Sequence, residues 1–580
     1  MLILGLHDGH NSGATLLSDG VVVASVSEER LTRNKNEIGY PRRSIEEVLR
    51  LSGCAPADLD AIVYASNFMH SEAHLRNATE WYRVGAEEQR IESSRAPEYL
   101  KAIFDIRRRE RIDQVIEQLG GTSERISFVD HHLAHAAAAY FGSPFPFDEP
   151  TLILTADGAG DGLCATVSIG SGADIERLAG TKREASLGKI YSRVTFLLGL
   201  TPWEHEYKVM GLAPYAEPKR SAVISNLFRN IVVLGKDGMT FRTPGVIQAS
   251  FSYHYLREHL ERARFDEISG GVQLYTEELL CEWVRQCVEK TGIRRIACGG
   301  GVFMNVKANM RIAELDCVDE LFVFPSCGDE SLSFGAVWLE YYRRLRERAG
   351  GHQPIEKRFL SDICLGASYS QDEIHSAMDA DLVGSGCTVE RLDNIEEQIA
   401  TRLADNRVVA RFAGRMEWGA RALGNRSILA NPREWRNVEK INAMIKMRDF
   451  WMPFAPSMLA DAQGRYLRNP KNISSPFMML AYGTTRLAEA DLGAAIHPRD
   501  KTARAQFVEK GRSPEYWSML KSFEGKTGQS AVLNTSFNLH GYPLVNTPSD
   551  AIDVFLRSGL DCLALENNLI TKPAPAGADA

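Results

Sequence analysis

The chain has 580 residues, with 67 Lys and Arg against 75 Asp and Glu, so its formal charge at pH 7 is −8. Duplex nucleic acid and anionic membranes are bound mainly through dense basic surfaces, so this balance argues against both as partners. The length corresponds to roughly two to four domains, and the 44% of hydrophobic residues is enough to build full cores.

Cysteine usage and the start of the chain bear on the compartment. The ten cysteines are scattered, with no CxxC pair, so neither a disulfide scaffold nor a zinc ribbon is indicated. The opening MLILGLHDGH lacks a basic stretch and a long apolar run, which argues against a secretory signal. No segment reaches the roughly 18 apolar residues that a membrane span needs. We therefore expect a protein of the reducing cytoplasm.

The first part of the chain predicts an α/β unit with an insertion. A capping pattern at Ser44 starts a helix, and the strand Leu59–Ala65 follows it. Before that helix the sequence predicts three short strands, Leu2–Leu6, Ala14–Leu17 and Val21–Val26. Residues 70–125 are charged and helix-rich, which is typical of an insertion. The arginine run in this insertion predicts a solvated helix face.

The opening pattern recurs after the insertion. Thr151–Ala156 reads as a strand, residues 157–162 as a glycine-rich loop, and Cys164–Ile169 as a second strand. Two copies of strand, Asp-Gly loop and strand predict a duplicated α/β unit. Ligands of such folds lie at the carboxyl ends of strands, where both Asp-Gly loops stand.

A third glycine-rich turn and a linker complete the domain organisation. The strand Arg295–Cys298 leads into three glycines, Gly299 to Gly301, and then to Asn305. Such a turn lets the backbone approach a ligand, and a helix beginning beyond it favours a phosphate or nucleotide. Residues 350–357 are polar and contain Gly and Pro, as linkers do. We therefore expect an N-terminal domain over residues 1–350 and a second domain over residues 351–580.

Two histidines stand where they can share a metal ion. His131 and His135 are four residues apart at the start of an Ala-rich segment, so they lie on one helical face, one turn apart. Asp157 and Asp329 follow predicted strands and offer carboxylates. Such a set suits Fe(II), Mn(II) or Zn(II) and can polarise a carbonyl group. The alternative is two histidines that are only hydrogen-bonded within a helix start.

The C-terminal half places arginines among glycines. Loops of this composition bring guanidinium groups to a polyanion, because glycine gives access and Arg binds phosphate through two hydrogen bonds. Neutral hydrogen-bonding groups follow in LNTSFN, at the end of a predicted strand. The alternative is a set of surface ion pairs. The candidate residues are Arg415, Arg421, Arg426, Lys446, Arg448, Asn534 and Ser536.

Ten sequence blocks, spread over nearly the whole chain, together resemble one family. They are LGLHDGHNSGATLL, SEERLTRNK, HHLAHAAAAYF, the Asp-Gly loop at 157, KVMGLAPYA, GGGVFMN, GDESLSFGA, WGARALGNRSILANP, FWMPFAPSM and VLNTSFNLHGYPLV. They resemble the ATP-dependent O-carbamoyltransferases of the NodU/CmcH type, which include nodulation-factor, cephamycin and tobramycin carbamoyltransferases. Each block alone is a weak signal, whereas ten in one order are specific.

The resemblance implies a fold and two half-reactions. The N-terminal domain would have the actin/sugar-kinase/heat-shock ATPase (ASKHA) fold and be similar to the tRNA threonylcarbamoyl-transfer protein, and the C-terminal domain would be a YrdC-like α/β domain. The C-terminal domain would make carbamoyl adenylate from carbamoyl phosphate and ATP, with Mg²⁺ as a companion of ATP. The N-terminal domain would then pass the carbamoyl group to an acceptor hydroxyl.

The resemblance also implies roles for residues of this chain. His131, His135, Asp157 and Asp329 match iron-binding positions, so the expected metal is Fe(II). Nucleotide contacts are expected at Gly188, and at Gly299, Gly300 and Asn305 of the glycine-rich turn. Positions near the acceptor and the transferred group are matched by Asp8, His10 and Lys35, although the family's His-Asp pair reads His10-Asn11 here. Arg415, Lys446, Arg504 and Asn534 match positions that hold carbamoyl phosphate and ATP.

Chemistry narrows some of these roles and leaves others open. Transfer to an alcohol needs a proton acceptor, for which His10 is the candidate. An ASKHA-fold small-molecule kinase and a nucleotide-dependent binding module are the alternatives, and the arginine-rich C-terminal half belongs to neither. We expect a small-molecule acceptor with a free hydroxyl, from a natural product or a saccharide, and no nucleic acid or membrane partner. A homodimer is compatible with the sequence, which does not fix the oligomeric state.

Overall fold

The computed structural model describes residues 1–77, 84–95, 97–349 and 355–573. The chain forms two units, one of residues 1–28 and 36–361 and the other of residues 29–35 and 362–580. Part of the expected linker, residues 350–354, lies outside the described residues. The N-terminal segment 29–35 thus stands with the C-terminal unit, an arrangement that the sequence analysis did not predict.

The elements of the first 349 residues alternate between strands and helices. The strands are β1 Leu2–His7, β2 Gly13–Ser18, β3 Val21–Ser27, β4 Ala61–Ala65, β5 Ile126–Val129, β6 Thr151–Gly160, β7 Leu163–Ser171, β8 Asp174–Lys182, β9 Val233–Leu234, β10 Phe241–Arg242, β11 Arg295–Gly299 and β12 Glu320–Val323. The helices are α1 Glu29–Thr32, α2 Arg42–Ser52, α3 Glu72–Leu75, α4 Ala86–Ser93, α5 Pro97–Leu119, α6 His131–Gly142, α7 Leu187–Leu197, α8 Glu206–Leu212, α9 Pro218–Phe228, α10 Tyr253–Leu260, α11 Phe265–Thr291, α12 Val306–Ala313 and α13 Leu332–Ala349.

The N-terminal unit contains the same five-stranded sheet twice. One sheet has the order β3-β2-β1-β4-β5 and the other the order β8-β7-β6-β11-β12. In each, three antiparallel strands are followed by two strands that run parallel to the first of the three. The predicted duplicated α/β unit of the ASKHA type is therefore confirmed. Asp8-Gly9 follows the end of β1, as predicted. Asp157-Gly158 instead lies within β6, because this strand keeps pairing with β7 as far as Gly160, so the loop predicted at residues 157–162 is mostly strand.

Two buried helices, α6 and α13, pack between elements of the two sheets. Where they cross, a Cβ atom at Gly335 would lie 1.8 Å from the carbonyl oxygen of Ala134, so only glycine allows this approach. A Cβ atom at Gly5 of β1 would likewise lie 2.3 Å from the carbonyl oxygen of Ser333 in α13. This close packing fixes α6, which carries both histidines of the predicted metal site.

The insertion between β4 and β5 is helical, as the sequence indicates, and contains α3, α4 and α5. Its arginine run is not a purely solvated face. Arg107 and Arg111 are 7% and 0% exposed, and both form ion pairs with Asp8. The prediction of a solvated face is wrong for these two side chains, because the buried carboxylate offsets their charge.

The C-terminal unit is a sheet-rich α/β domain. Its strands are β13 Thr388–Arg391, β14 Val409–Phe412, β15 Arg426–Ala430, β16 Ala455–Leu459, β17 Leu467–Arg468, β18 Tyr482–Thr484, β19 Thr502–Ala503, β20 Gln506–Val508, β21 Ala531–Ser536, β22 Cys562–Leu565 and β23 Asn568–Thr571. Its helices are α14 Gln371–Asp381, α15 Ile395–Ala404, α16 Arg436–Ile441, α17 Gln463–Tyr466, α18 Arg486–Asp491, α19 Pro514–Thr527 and α20 Pro548–Arg557, with a π-helix at Asn442–Lys446.

Eight strands form the main sheet of this unit, in the order β13-β23-β22-β14-β15-β21-β16-β20. Buried side chains cover both faces: one cluster includes Phe412, Ile428 and Leu563, and another includes Val409, Leu429 and Phe523. Among the described residues, no helix is both long enough and apolar enough to cross a bilayer.

Candidate functional site: a metal centre and a cation cluster

The start of helix α6 orients the histidines. The carboxylate of Asp130 caps the helix by accepting a hydrogen bond from the backbone N–H of Leu133 at 2.8 Å. One turn apart on the buried face, the rings of His131 and His135 have centroids 4.8 Å apart. His132 points elsewhere, with its Nδ1 2.9 Å from the hydroxyl of Thr155. The helical spacing predicted from the sequence is thus present.

Two carboxylates converge on these rings. Asp157 lies in β6, and Asp329 begins the turn before α13. The Nε2 atom of His131 is 3.1 Å from Asp157 and 3.7 Å from Asp329, and that of His135 is 3.6 Å from each. One ligand atom from each of the four residues lies within 4.8 Å of the others.

The donors of this cluster fit a divalent metal ion. The buried Nε2 atom of His135 has no hydrogen-bond partner, although buried polar groups of folded proteins nearly always have one. Two imidazole nitrogens and two carboxylate oxygens are donors that Fe(II), Mn(II) and Zn(II) accept. The cluster therefore fits the group that the sequence predicted for it.

The cluster is also electrostatically coupled. Burial alone would lower the pKa of His135, but the nearby carboxylates of Asp157 and Asp329 outweigh it and raise the pKa to about 9. Burial acts to raise the pKa of Asp157, yet His131 and His135 hold it well below its ordinary value. The charges of His135 and Asp157 thus stabilise each other.

Serine hydroxyls hold the outward nitrogens of both rings. Ser66 Oγ lies 2.8 Å from Nδ1 of His131, and Ser331 Oγ lies 3.2 Å from Nδ1 of His135. A third residue, Asp161, accepts hydrogen bonds from the backbone N–H groups of residues 67, 68 and 131. The sequence analysis missed these three residues. Asp161 lies in the glycine-rich loop that was noted, whereas the serines carry no sequence signal.

His10 contacts Trp203, a residue that also contacts Lys189. Its ring centroid lies 5.4 Å from that of Trp203, and the amine of Lys189 lies 5.2 Å from the centroid of Trp203. Burial lowers the pKa of Lys189 to about 8, with Arg193 adding to the effect and Asp157 opposing it. Lys189 and Trp203 were not predicted as site residues.

The structure gives Asp8 and Lys35 surroundings other than those expected. Asp8 is fully buried, and its two carboxylate oxygens lie 3.0 Å from Arg111 and 3.1 Å from Arg107. Each carboxylate oxygen of Asp8 is thus hydrogen-bonded to one guanidinium group of the insertion helix. Lys35 belongs to the C-terminal unit, where its charge is among the influences that lower the pKa of Lys446.

The glycines of the expected nucleotide loops are required by close backbone approach. A Cβ atom at Gly188 would lie 2.9 Å from the carbonyl oxygen of Asp157, and one at Gly299 would lie 2.7 Å from the carbonyl oxygen of His135. Gly300 has a φ of 94° and would meet the carbonyl oxygen of Ala156 at 2.3 Å. Gly299 and Gly300 thus pack the glycine-rich turn against α6 and β6, and Gly188 packs the start of α7 against β6; α6 and β6 carry three of the four metal-site residues.

Asn305 has local hydrogen-bond partners. Its side chain caps α12 by accepting from the backbone N–H of Ala308 at 3.0 Å. Its amide also exchanges two hydrogen bonds with that of Gln273, at 3.0 and 2.9 Å. The hydroxyl of Tyr191 donates to the same Gln273. Asn305 therefore fixes the end of the glycine-rich turn against α11, a contact that sequence alone did not indicate.

In the C-terminal unit, one of the predicted anion-binding arginines is structural. Arg426 is fully buried, and its guanidinium donates to the carbonyl oxygens of Ala413, Asn425, Ala367 and Gly414. The predicted role of Arg426 in phosphate binding does not agree with this arrangement, because the N–H groups that would bind a phosphate already donate to four backbone carbonyl oxygens. Among the loop's other arginines, Arg415 donates to the carbonyl oxygens of residues 365 and 366.

Arg504 lies close to two other candidate cations of this unit, Arg421 and Arg448. These three residues are called the cation cluster. Burial lowers the pKa of Arg504 well below its ordinary value, and the charges of Arg421 and Arg448 lower it further. Its Nε atom is buried and has no hydrogen-bond partner. No carboxylate stands among these influences on Arg504 within the described part of the chain. A buried guanidinium whose neighbours carry the same charge is a candidate site for an anion.

Lys446 extends this cluster from the end of the π-helix, a local distortion that often marks functional sites. Burial, with the charges of Arg448 and Lys35, lowers its pKa well below the ordinary value. Its amine donates to Ser536 and Asn538, both through side-chain and backbone oxygens. Asn538 belongs to the LNTSFN block, which the sequence analysis singled out for its neutral hydrogen-bonding groups.

Asn534 and Ser536 lie in β21, at its centre and its end. The amide nitrogen of Asn534 donates to Ala422 and Ser457 at 3.0 and 2.9 Å, while its buried oxygen has no partner. At the next residue of the strand, the hydroxyl of Thr535 accepts a hydrogen bond from the guanidinium of Arg448 at 2.9 Å. The end of β21 thus presents amide and hydroxyl groups next to the cations, as the sequence predicted.

Comparison with known proteins agrees with both halves. The family profile described as Carbamoyltransferase N-terminus matches residues 2–338, and that described as Carbamoyltransferase C-terminus matches residues 400–572. The nodulation protein NolNO of Sinorhizobium fredii is 32% identical over 97% of this chain and 79% of its own length. NolO of Bradyrhizobium diazoefficiens is 31% identical over 77% of this chain and 79% of its own.

More distant similarity extends to nodulation protein U of Azorhizobium caulinodans, which is 25% identical over 93% of both chains. The two family profiles together span most of the chain, in the order in which the two units follow one another. From these matches we conclude that the chain belongs to the carbamoyltransferase family.

Proposed function

We propose that the protein is an ATP-dependent O-carbamoyltransferase that works in two half-reactions. The C-terminal unit makes carbamoyl adenylate from carbamoyl phosphate and ATP, and the N-terminal unit passes the carbamoyl group to a hydroxyl of a small-molecule acceptor. One observation carries the proposal, namely the separation of charge between the units. Imidazoles and carboxylates cluster in one unit, and buried cations cluster in the other.

The first half-reaction gathers negative charge. Water hydrolyses carbamoyl phosphate to carbamate and phosphate, a carbamate oxygen then attacks the α-phosphorus of ATP, and pyrophosphate leaves. Arg504 and Lys446 are preorganised to stabilise that charge because they are buried next to other cations. The polar groups at the end of β21 orient the anion, and Mg²⁺ accompanies the ATP phosphates.

The second half-reaction forms the product ester. The acceptor hydroxyl oxygen bonds to the carbamoyl carbon, the bond from that carbon to the AMP oxygen breaks, and the hydroxyl proton goes to His10. Lys189 lies across Trp203 from His10 and provides a cation for the departing AMP. A metal ion held by His131, His135, Asp157 and Asp329 supplies Lewis-acid polarisation of a carbonyl oxygen when it is bound.

The identity of the metal and the class of acceptor are proposed from the donor set and from the family resemblance. The donor set accepts Fe(II), and the sequence resemblance favours it over Mn(II) and Zn(II). A hydroxyl of a natural product or a saccharide is the acceptor class that the family resemblance supports.

Product analysis tests the proposal. Purified protein is incubated with ATP, Mg²⁺ and carbamoyl phosphate, and the nucleotides and pyrophosphate are quantified. A carbamoyltransferase of this type releases AMP and pyrophosphate only when carbamoyl phosphate is present. ADP would instead identify a kinase or an ATP-hydrolysing binding module and contradict the proposal. Carbamoyl phosphate with a labelled carbamoyl carbon, offered with a panel of hydroxyl compounds, then identifies the acceptor.

A further inference from the structure

The turn after β4 adopts a backbone conformation that is unusual for its sequence. Ser66 has a φ of 74°, in the left-handed region that glycine adopts freely and serine avoids. The residue is 1% exposed, so water does not stabilise it. A non-glycine residue persists in such a conformation only where its surroundings hold it there.

An arginine of the insertion holds this turn. Arg111 of α5 donates to the carbonyl oxygen of Ser66 at 2.9 Å and to that of Ala65 at 3.1 Å. Its guanidinium lies 4.2 Å from the centroid of Tyr64 and 4.9 Å from that of Phe128. Arg111 is fully buried, so its position is fixed by these contacts.

Asp8 makes the burial of this charge tolerable. Its carboxylate receives Arg111 on one oxygen and Arg107 on the other, and Glu110 pairs with Arg107 from the surface at 3.3 Å. A buried ion pair with both partners hydrogen-bonded is stable, whereas removal of one partner leaves a buried charge uncompensated. Asp8 therefore belongs with the insertion helix as a structural unit.

The same turn reaches the metal site through one hydroxyl. Ser66 Oγ lies 2.8 Å from Nδ1 of His131. If Nε2 of His131 is a metal ligand, Nδ1 carries the proton and donates it to Ser66 Oγ. Outer partners of this kind fix the tautomer and the ring orientation of ligating histidines. Asp161, which binds the N–H groups of residues 67, 68 and 131, ties the turn to the start of α6.

We propose that Arg111 is a positioning residue for the metal centre, acting through Ser66, so that the helical insertion sets the metal affinity of the transfer site. The inference rests on the metal site proposed above. The chain of contacts runs from Asp8 to Arg111, from Arg111 to the backbone of Ser66, and from the hydroxyl of Ser66 to His131. The insertion therefore helps to position a metal-site residue.

Four variants of the full-length protein separate the steps. Ser66→Ala removes the hydroxyl and keeps a side chain, whereas Ser66→Gly removes the hydroxyl and relieves the strained backbone. Arg111→Lys keeps a charge but cannot make the same fork of hydrogen bonds. Arg109→Ala is the matched control, because Arg109 is an exposed arginine of the same helix. Within the described part of the chain its guanidinium donates to the carbonyl oxygen of Asp105, one turn away on the same helix.

Metal affinity, measured by competition with a chromophoric chelator using Fe(II) and Co(II), is the main readout. We expect both Ser66 variants and Arg111→Lys to bind metal roughly 10- to 100-fold more weakly, and Arg109→Ala to match the wild type. The absorption spectrum of the Co(II) form should change in the Ser66 variants, because the ligand orientation changes. Carbamoyl-phosphate-dependent pyrophosphate release, which belongs to the C-terminal unit, should be unchanged. Circular dichroism and thermal unfolding report whether the N-terminal unit of each variant is folded.

The outcomes distinguish the inference from the function on which it rests. A wild-type protein that binds neither metal would overturn the metal site itself. If the wild type binds metal and Ser66→Gly binds it equally well with an unchanged Co(II) spectrum, the hydroxyl does not position His131 and the inference fails. Weak binding by Ser66→Ala together with normal binding by Ser66→Gly would assign the effect to backbone strain and would also overturn it.

Discussion

Replacement of Arg504 by methionine should make the protein more stable and less active. Without a bound anion, the Arg504 guanidinium is buried beside Arg421 and Arg448, and these surroundings disfavour its charge. Its Nε atom has no hydrogen-bond partner, so the folded protein carries the cost of removing it from water. Methionine has a similar length and fills the space without that cost.

The size of both effects can be estimated. Replacing buried ions by apolar side chains of similar volume stabilises proteins by about 1 to 4 kcal/mol. For a unit of about 200 residues, 1 kcal/mol corresponds to a shift of roughly 2 to 4 °C in Tm, so a gain of about 2 kcal/mol should raise Tm by roughly 4 to 8 °C. Loss of one charge stabiliser should slow pyrophosphate release roughly 100- to 1000-fold.

Thermal unfolding of the ligand-free protein and a pyrophosphate-release assay test this prediction together. The control is Arg433→Met, because Arg433 is paired with Asp491 at 2.6 Å. That substitution leaves a buried carboxylate without its partner, so Tm should fall while pyrophosphate release persists. The reasoning is refuted if Arg504→Met lowers Tm and releases pyrophosphate at the wild-type rate.

Three further predictions concern other parts of the chain. His135→Ala should abolish metal binding and transfer to the acceptor while carbamoyl-phosphate-dependent pyrophosphate release continues; loss of both activities in a folded variant would contradict the division of labour. Lys35→Ala should slow pyrophosphate release at unchanged metal content, since Lys35 belongs to the C-terminal unit, and Lys35→Arg should retain most of the rate. Burial lowers the pKa of Lys357 to about 7, whereas a lysine in the unfolded chain has a pKa of about 10.4. Between pH 7 and pH 10 the unfolded state therefore binds more protons than the folded state, and the free energy of unfolding should rise with pH over this range. Lys357→Met should therefore exceed the wild type in free energy of unfolding at pH 7, and denaturant titrations should show the difference narrowing toward pH 10; a difference independent of pH would show that this lysine keeps its ordinary pKa.

The sequence by itself determined the features that follow from local pattern. The sequence contains the pattern of strand, Asp-Gly turn and strand twice, which indicated a duplicated α/β unit. Such a pattern can be recognised because strand periodicity and turn preferences depend on residues that are neighbours in the chain. The spacing of His131 and His135 placed both rings on one helical face for the same reason. The two carboxylates, Asp157 and Asp329, were found because each follows a strand predicted from its apolar residues.

Tertiary structure decided which of the candidate residues meet and in what environment. Arg426 and Arg504 look alike in the sequence, yet carbonyl oxygens occupy Arg426, whereas Arg504 is packed among other cations. Ser66 carries no pattern and contacts His131 only because β4 and β5 lie side by side. Such contacts join residues far apart in the chain, and periodicity and spacing contain no information about them. The partnership of residues 29–35 with the C-terminal unit has the same origin, since it depends on long-range packing rather than on local sequence.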